Sequence, residues 1–509
     1  MPAFTRLTAL MTTYIDHALI EQVVGEFYRY ATFSHTWEGS EPLFKKVIKI
    51  VVYDLDAFST HNKLQTFCKI VRDEGFNWAW SDTCCIDKGD HFVLQEALVR
   101  MFKWYEGSAM TIIFLCDVDQ FAELGALVMS RWNSRGWTLQ EYHASKVIRI
   151  YTKDWTPYLG LTLYNHKESP EIMSEMEKAT GISAQALMAL HPGLSDIREK
   201  LCLASTRQTT RVEDAAYSLL GIFSTSLPIT YGEGDKALGR LLSQLLMSSG
   251  DTSILAWTGR PGSFNTCLPT SIIVFNQPLT SHIPPAIADA EMRKITVALH
   301  ASSLDLNLVT RLYDQVDGLP TPVFAGQRMK LPCLAFKIRL VSRSLDGSKF
   351  VFRAQAGALG AVEIKTEQNF TPLDSLYLVH PWIDFLLDRR AARKMANIAP
   401  RENKTSKLDE FLSFDSFPDP VSTSRADSLT LASPLPPSTV PLMTAQMRFY
   451  QFLARLGQPF GALLLASNSW NVAEYKRIDT ENLITVQVKE ITSATLDGLI
   501  QAVRVLDVL

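Results

Sequence analysis

The chain has 509 residues, which at roughly 100–200 residues per domain predicts about three folded units. A hydrophobic fraction of 47% is enough to bury a sizeable core, and a formal net charge of -3 does not suggest the basic face of a nucleic-acid-binding protein. No apolar run reaches the length of a membrane span, and the N-terminus lacks the apolar core of a signal peptide. Seven irregularly spaced cysteines are too few for a disulfide framework or a zinc site, so we expect a cytoplasmic protein with reduced thiols and no bound metal.

Short apolar runs alternate with helical patterns in residues 26–158, after an N-terminal lead of residues 1–25. The predicted strands are Tyr28–Ser34, Asn77–Ser81, Met110–Cys116 and Val147–Tyr151. The predicted helices are Pro42–Ile50, Thr60–Glu74, Phe92–Tyr105 and Trp137–Tyr142. This alternation of strands and helices along the chain predicts an α/β domain, in which a parallel sheet has helices on both faces.

A helical arm is predicted for residues 159–250 and a β-rich region for residues 251–399. The arm's helices are expected at Glu171–Thr180, Ser183–Leu190, Ser195–Ala204, Val212–Phe223 and Asp235–Met247. Strands are expected at Ile254–Trp257, Ile295–Leu299, Cys333–Leu340 and Phe350–Ala354, with a helix-like stretch at Trp382–Met395.

Residues 400–440 are rich in Ser and Pro, which predicts a linker without a core of its own. Residues 441–509 are then expected to complete the β-rich region. Their predicted elements are a helix at Ala445–Leu456 and strands at Ala462–Ala466, Leu483–Val488 and Val503–Val508.

Three blocks in the first 150 residues carry a family resemblance. They are Tyr30–Trp37 (YATFSHTW), Trp80–Lys88 (WSDTCCIDK) and Ser134–Glu141 (SRGWTLQE). Their order and spacing resemble the fungal heterokaryon incompatibility (HET) domain, and Ala204–Phe223 resembles the region that follows this domain in many such proteins. Two departures are Lys88, where the family usually has glutamine, and Glu38-Gly39, where glycine usually follows the tryptophan directly.

The resemblance implies a role in self/non-self recognition, in which the HET domain promotes programmed cell death. HET domains are in turn similar to TIR domains, which implies a flavodoxin-like parallel sheet. Some TIR domains hydrolyse NAD with a glutamate four residues after a tryptophan, and Trp137 and Glu141 have this spacing. Glu141 is therefore the candidate catalytic residue. The residues alone leave open that Glu141 caps a helix or pairs with Arg135.

Further candidate ligand-binding residues are Ser34, His35, Trp37, Asp82 and Trp137. Ligands of doubly wound sheets bind outside the carboxyl ends of the strands, where the first four of these residues are expected. A tryptophan there can stack on a base or a nicotinamide ring, and an aspartate can bind a ribose. Core packing of the tryptophans, helix capping by Asp82 and a structural role for His35 are the alternatives.

A dense charge cluster precedes one predicted helix of the arm and includes Arg207, Arg211, Glu213 and Asp214. An ion-pair and capping network between domains is the expected role, and a phosphate or partner site is the alternative.

Three functional hypotheses remain open from the sequence. The first is an NAD glycohydrolase-like enzyme that takes NAD as substrate and requires no cofactor. The second is a non-catalytic signalling module that self-associates through the HET domain. The third is a regulatory paralogue with neither activity. The resemblance also implies an immune-receptor or incompatibility protein as a partner, and no nucleic acid is expected.

Overall fold

A computed structural model describes residues 17–56, 59–276, 294–295, 297–299, 304–371, 374–387, 445–468 and 471–509. In these ranges the chain is a mixed α/β structure that contains a four-stranded parallel sheet and a nine-stranded sheet. The predicted linker, residues 400–440, lies outside them, as does most of the predicted N-terminal lead. None of the described helices combines the length and the apolar character that crossing a bilayer requires.

The four-stranded sheet has the order β2-β1-β3-β4, and all its neighbouring strands are parallel. β3 is buried along its whole length, as expected for a central strand of a parallel sheet with both faces covered. The four strands that the sequence predicts in this region are confirmed. Their bounds are Tyr30–His35 (β1), Trp78–Ser81 (β2), Met110–Phe114 (β3) and Ile148–Tyr151 (β4).

Helices cover both faces of this sheet. On one face Phe67 stacks on Phe33 of β1, with 4.4 Å between the ring centroids. On the other face Met101, Phe102 and Tyr105 belong to the same core cluster as Ile113 and Ile150 of the sheet. The helices of this part are His17–Phe27 (α1), Phe44–Val47 (α2), Ser59–Asp73 (α3), His91–Gly107 (α4), Ala126–Met129 (α5), Arg131–Ser134 (α6) and Gly136–Ala144 (α7).

The next segment is helical, as predicted, but one of its helices is much shorter than expected. Only Asp214–Tyr217 of the predicted helix Val212–Phe223 is α-helical, and turns follow it. The apolar residues in these turns are buried on all sides and do not form one helical stripe. Their spacing in the sequence therefore predicted a longer helix than the structure has. The helices are Pro170–Thr180 (α8), Ala184–Ala189 (α9), Ile197–Ser205 (α10), Asp214–Tyr217 (α11) and Lys236–Ser249 (α12).

Two predicted strands are wrong. The stretch Ile254–Trp257 belongs to a buried 3-10 helix, Thr252–Leu255, and the residues that follow it. A short buried apolar run satisfies either structure, so sequence pattern could not separate them. The described residues of the predicted strand Ile295–Leu299 are helical. Of the predicted helix-like stretch Trp382–Met395, Ile383–Leu386 is helical, and residues after 387 lie outside the described ranges.

The larger sheet closes into a ring of five strands, in which β6 pairs with β9, β9 with β10, β10 with β11, β11 with β13, and β13 with β6. Strands from both sides of residues 400–440 therefore share one sheet. The strands are Val323–Ala325 (β5), Arg328–Asp346 (β6), Lys349–Ala356 (β7), Gly360–Thr366 (β8), Leu376–His380 (β9), Phe460–Asn468 (β10), Asn471–Arg477 (β11), Ile484–Val486 (β12) and Val503–Val508 (β13). The helices are Leu306–Asp317 (α13), Ile383–Leu386 (α14), Ala445–Leu456 (α15) and Ser493–Ala502 (α16).

One core cluster runs through all three parts of the chain. It includes Ile113 of the parallel sheet, Leu242 of the arm and Leu331 of β6. At the contact between the arm and the ring, the buried Arg477 guanidinium lies 3.6 Å from the ring centroid of Trp257. The domain boundaries proposed from the sequence stay predictions, because this core crosses from one part to the next.

Because α4 packs closely against the arm, we expect one added carbon atom at Gly221 to lower the stability of the fold strongly. A Cβ at Gly221 would collide with Phe102 Cβ, which its backbone holds in place. We expect Gly221→Ala to lower the free energy of unfolding by roughly 1–3 kcal/mol or more, measured by urea denaturation. Gly25→Ala is the matched control, because nothing lies within 4 Å of that position. Equal stability of Gly221→Ala and the wild type would contradict this packing.

Candidate functional site

A cleft of about 820 Å³ lies at the carboxyl ends of β1 and β2, between the parallel-sheet part and the arm. It brings together the residues that the sequence proposed. His35, Trp37, Asp82, Trp137 and Glu141 line the cleft, and Ser34 is hydrogen-bonded to Glu141. The remaining lining residues are Thr36, Ile86, Lys88, Leu94, Leu98, Met101, Arg131, Ser134, Arg135, Gln208, Thr209, Thr210, Arg211, Asp214 and Tyr231.

Glu141 is held in place by a chain of two hydrogen bonds. The indole N–H of Trp132 donates to Ser34 Oγ at 2.8 Å, and the Ser34 hydroxyl donates to Glu141 Oε2 at 2.5 Å. Because the indole already donates to the Ser34 oxygen, the serine proton is available for the carboxyl group. All three side chains are buried. This arrangement fixes the carboxyl group of Glu141 within the wall of the cleft.

Burial and the nearby charge of Asp82 raise the pKa of Glu141 to about 8, against the hydrogen bond from Ser34 and the charges of Arg135 and Arg207. Glu141 lies inside α7 and therefore does not cap a helix. Among the described residues it forms no ion pair within 4.0 Å, so the alternative of a pair with Arg135 is wrong. A carboxyl group that is mostly protonated at neutral pH and faces a cleft is typical of a functional position.

Trp37 is fixed by two neighbours. Its indole N–H donates to Asp82 Oδ2 at 3.0 Å, and Lys88 Nζ lies 3.4 Å from the ring centroid. Lys88 is also 3.7 Å from Asp82. Burial lowers the pKa of Lys88, although the carboxylate of Asp82 opposes this change. Lys88, which departs from the family pattern, therefore takes part in the wall of the cleft.

His35 is a buried polar residue whose ring nitrogens have no hydrogen-bond partner among the described residues. Its ring stacks on Phe33 with 4.2 Å between centroids, and the Glu41 carboxylate lies 3.9 Å from Nε2. Burial, followed by the charge of Lys63, holds the pKa of His35 well below its usual range. The imidazole is therefore neutral at physiological pH, and it lines the cleft.

The arm forms one side of the cleft through a backbone junction. Gln208 N donates to Ser134 O at 2.6 Å, and Gly136 N donates to Gln208 O at 2.8 Å. Glycine at position 136 suits this approach, because a Cβ there would lie 2.5 Å from Thr209 Cγ2 and the threonine side chain would have to shift. Below the junction, the buried Arg207 guanidinium donates to the Arg135 carbonyl and the Thr138 hydroxyl, each at 3.0 Å.

Several residues of this site were not assigned to the cleft from the sequence, although Arg211 and Asp214 were noted in a charge cluster. Asp214 accepts a hydrogen bond from Tyr231 at 2.9 Å, and nearby Trp137 opposes the burial that raises the pKa of Asp214. Arg135 and Arg211 also line the cleft. The dense charges of residues 207–214 were the available signal, but no local pattern shows that this segment pairs with residues 134–136.

Comparison with known proteins gives the family of the first part of the chain. A family model described as "Heterokaryon incompatibility protein (HET)" matches residues 30–129. Residues 30–129 form a HET domain. The "Vegetative incompatibility protein HET-E-1" of Podospora anserina is 34% identical to this chain over 237 residues, which is 44% of this chain and 17% of that protein. No solved structure matches this chain.

The HET match and the candidate site overlap only in part. Ser34, His35, Trp37 and Asp82 lie within the matched residues, whereas Trp137 and Glu141 lie beyond residue 129. The chain spans about 17% of the length of its Podospora relative. Among the residues that the structure describes, no group of three or more His, Cys, Asp or Glu side chains is arranged to hold a metal ion.

The raised pKa of Glu141 predicts a pH-dependent difference in stability. Between about pH 4.5 and pH 8 the unfolded chain releases the Glu141 proton while the folded chain keeps it, so this group destabilises the fold as pH rises. Glutamine cannot ionise and can still accept from Ser34. We expect Glu141→Gln to be more stable than the wild type near pH 8, by on the order of a few kcal/mol, with the difference shrinking toward zero near pH 4.

Urea unfolding of the full chain at several pH values measures this difference. Glu96→Gln is the control, since it removes a carboxylate from the exposed face of α4. A stability difference between Glu141→Gln and the wild type that stays constant across this pH range would rule out a protonated, buried Glu141.

Proposed function

We propose that this protein acts in heterokaryon incompatibility and that its HET domain promotes cell death by hydrolysing NAD. The observation that carries the proposal is the buried carboxyl group of Glu141 in the wall of a cleft that Trp37 and Trp137 also line. The incompatibility role is supported by the HET domain and by the name of the Podospora relative. NAD hydrolysis is supported by the position and chemistry of the cleft.

The sheet order supports a nucleotide site at this position. The order β2-β1-β3-β4, with all strands parallel, agrees with the first four strands of flavodoxin-like sheets. In such sheets the ligand binds at the carboxyl ends of the strands, where the chain switches from one side of β1 to the other. Ser34, His35 and Trp37 lie at the carboxyl end of β1. The TIR-related fold is therefore part of this proposal.

In the proposed reaction, the bond between the nicotinamide nitrogen and the ribose C1′ breaks. Both bonding electrons leave with the nicotinamide, which departs as a neutral molecule, and positive charge develops on the ribose. In its ionised form the Glu141 carboxylate stabilises this charge, as carboxylates do for the oxocarbenium-like transition state of glycosyl transfer. Water then adds to C1′ and loses a proton, so the products are nicotinamide and ADP-ribose.

The protonation of Glu141 gives the proposed reaction a pH dependence. With a pKa of about 8, the ionised fraction of Glu141 in the empty cleft rises as pH increases from 7 to 8. A positively charged nicotinamide ring favours the ionised carboxylate, so binding of NAD and ionisation of Glu141 are expected to favour each other. Trp37 and Trp137 offer ring faces for the nicotinamide or the adenine.

Removal of the carboxyl group should abolish NAD hydrolysis. We expect purified full-length wild-type protein to release nicotinamide from NAD, at a rate that increases from pH 6.5 to 8. Glu141→Gln should lower this rate by about 100-fold or more, because charge stabilisation in a buried site is worth several kcal/mol. Glu96→Gln should keep the wild-type rate. Nicotinamide release that is equal in Glu141→Gln and the wild type would exclude Glu141 as the catalytic residue.

Self-association without chemistry is the second candidate function, and one surface favours it. Phe121, before α5, and Met129, the last residue of α5, are 85% and 84% exposed, and Leu124 between them is 53% exposed. Large apolar side chains that are grouped on a surface often mark a protein interface. In this alternative the HET domain signals through assembly.

Polar substitutions on this surface test the alternative. We expect Phe121→Ser with Met129→Ser to shift a self-associating protein to the monomer in sedimentation velocity, because the substitutions remove the exposed apolar area. Phe92→Ser is the matched control, since Phe92 is also exposed but lies on α4. Unchanged assembly in the double variant would exclude this surface. Loss of cell death in the double variant, with nicotinamide release intact, would favour the signalling module.

A further inference from the structure

We propose that the cleft binds the phosphate groups of its ligand through Arg135 of the parallel-sheet part and Arg211 of the arm. This inference rests on the proposed function in one respect, since it assigns the part of the cleft that holds the pyrophosphate of NAD. It also makes the arm a required part of the ligand site. The argument uses the pairing of the charged groups around the cleft and the backbone junction that positions the two arginines.

Most charged groups that line the cleft already have partners. Lys88 lies 3.7 Å from Asp82, and Arg131 lies 3.8 Å from Asp117 and 3.7 Å from Glu38. Asp214 accepts a hydrogen bond from Tyr231, and the raised pKa of Glu141 keeps its carboxyl group largely protonated near neutral pH. The anionic groups of the lining are therefore either engaged or mostly neutral.

Arg135 and Arg211 differ from the other charged groups of the lining in that no described carboxylate lies within ion-pair distance of them. Among the described residues neither guanidinium has a carboxylate within 4.0 Å, although both arginines line the cleft and the charge of Arg211 contributes to lowering the pKa values of Glu213 and Asp214. The charge of Arg135 contributes to lowering the pKa values of His35, Lys88 and Glu141, which indicates that it is close to all three. The unpaired charge of the cleft is therefore positive, which favours an anionic ligand.

The junction places the two arginines on neighbouring segments. Residues 135 and 208 form a parallel bridge, and the hydrogen bonds on either side of it fix the two segments together. Arg211 follows three residues after this bridge, and its guanidinium carbon lies 4.1 Å from the ring centroid of Tyr231. The backbone of Arg135 and the guanidinium of Arg211 are thus held by structure that forms without a ligand, which lowers the entropic cost of binding.

Guanidinium groups suit phosphate oxygens because their N–H donors form paired, charge-assisted hydrogen bonds. The rest of the cleft suits the neutral parts of a nucleotide. Trp37 and Trp137 line it, with Lys88 over one face of the Trp37 ring, and the ring nitrogens of the neutral His35 have no hydrogen-bond partner in the described part of the chain. A nucleoside diphosphate group therefore matches the cleft better than a free nucleoside or a simple anion does.

Binding of ADP-ribose to the full-length protein tests this assignment without any need for turnover. Isothermal titration calorimetry would compare the wild type with Arg135→Gln and Arg211→Gln, using ADP-ribose, adenosine and inorganic pyrophosphate as probes. We expect each substitution to weaken ADP-ribose binding about 10-fold or more and to leave the weaker binding of adenosine unchanged. Pyrophosphate should compete with ADP-ribose on the wild type.

Arg131→Gln is the matched control, because Arg131 lines the same cleft but is already close to Asp117 and Glu38. We expect it to change ADP-ribose binding by less than about threefold. Circular dichroism would confirm that every variant is folded. The side chains of Arg135 and Arg211 can be replaced without removing their backbone carbonyls, which are the groups that accept hydrogen bonds from Arg207 and Thr209.

The outcomes separate this inference from the proposed reaction. ADP-ribose binding that depends on both arginines, without nicotinamide release from NAD, would support the phosphate site and contradict hydrolysis. Nicotinamide release with a KM that neither arginine affects would support hydrolysis and overturn the phosphate site. Absence of ADP-ribose binding to folded wild-type protein, or adenosine binding as tight as ADP-ribose binding, would also overturn it.

Discussion

The buried guanidinium of Arg207 holds the parallel-sheet part and the arm together at the candidate site. It donates to the Arg135 carbonyl, the Thr138 hydroxyl and, at 3.2 Å, the Asn133 side chain. Among the described residues no carboxylate lies within 4.0 Å of it, so neutral oxygens satisfy its donors. A buried cation is stable only when its donors are satisfied, and its removal would leave buried acceptors without partners. The start of α7, and therefore Glu141, depends on this contact with the arm.

The role that we propose for Glu141 sets function against stability in this cleft. Burial of its carboxyl group favours the neutral form, whereas the charges of Arg135 and Arg207 favour the ionised form. The pKa of about 8 is the balance of these effects. The proposed reaction needs the ionised carboxylate near neutral pH, whereas the buried position of Glu141 disfavours ionisation. Such a balance costs folding stability and is common where a group must change charge during function.

The sequence predicted the parallel sheet and the residues at its carboxyl edge because both depend on local patterns. β3 is a continuous apolar run, and Ser34, Trp37 and Asp82 follow strands whose ends must meet at one edge. The buried stretch Ile254–Trp257, which belongs to a 3-10 helix and the residues after it, was mistaken for a strand because burial on all sides removes periodicity. The contribution of the arm depends on contacts between residues about 70 positions apart, which one sequence does not reveal.

The ring of five strands has a consequence for the order in which the chain can fold during synthesis. β13 pairs with both β6 and β11, so the ring cannot close until residues 503–508 have left the ribosome. The strands of the parallel sheet emerge about 350 residues earlier, which at typical elongation rates is roughly 20–70 s. Apolar side chains of the arm that share a core with β6 and β13 lack these partners until the two strands emerge. We therefore expect nascent chains to expose an apolar surface to which chaperones can bind before β13 is synthesised.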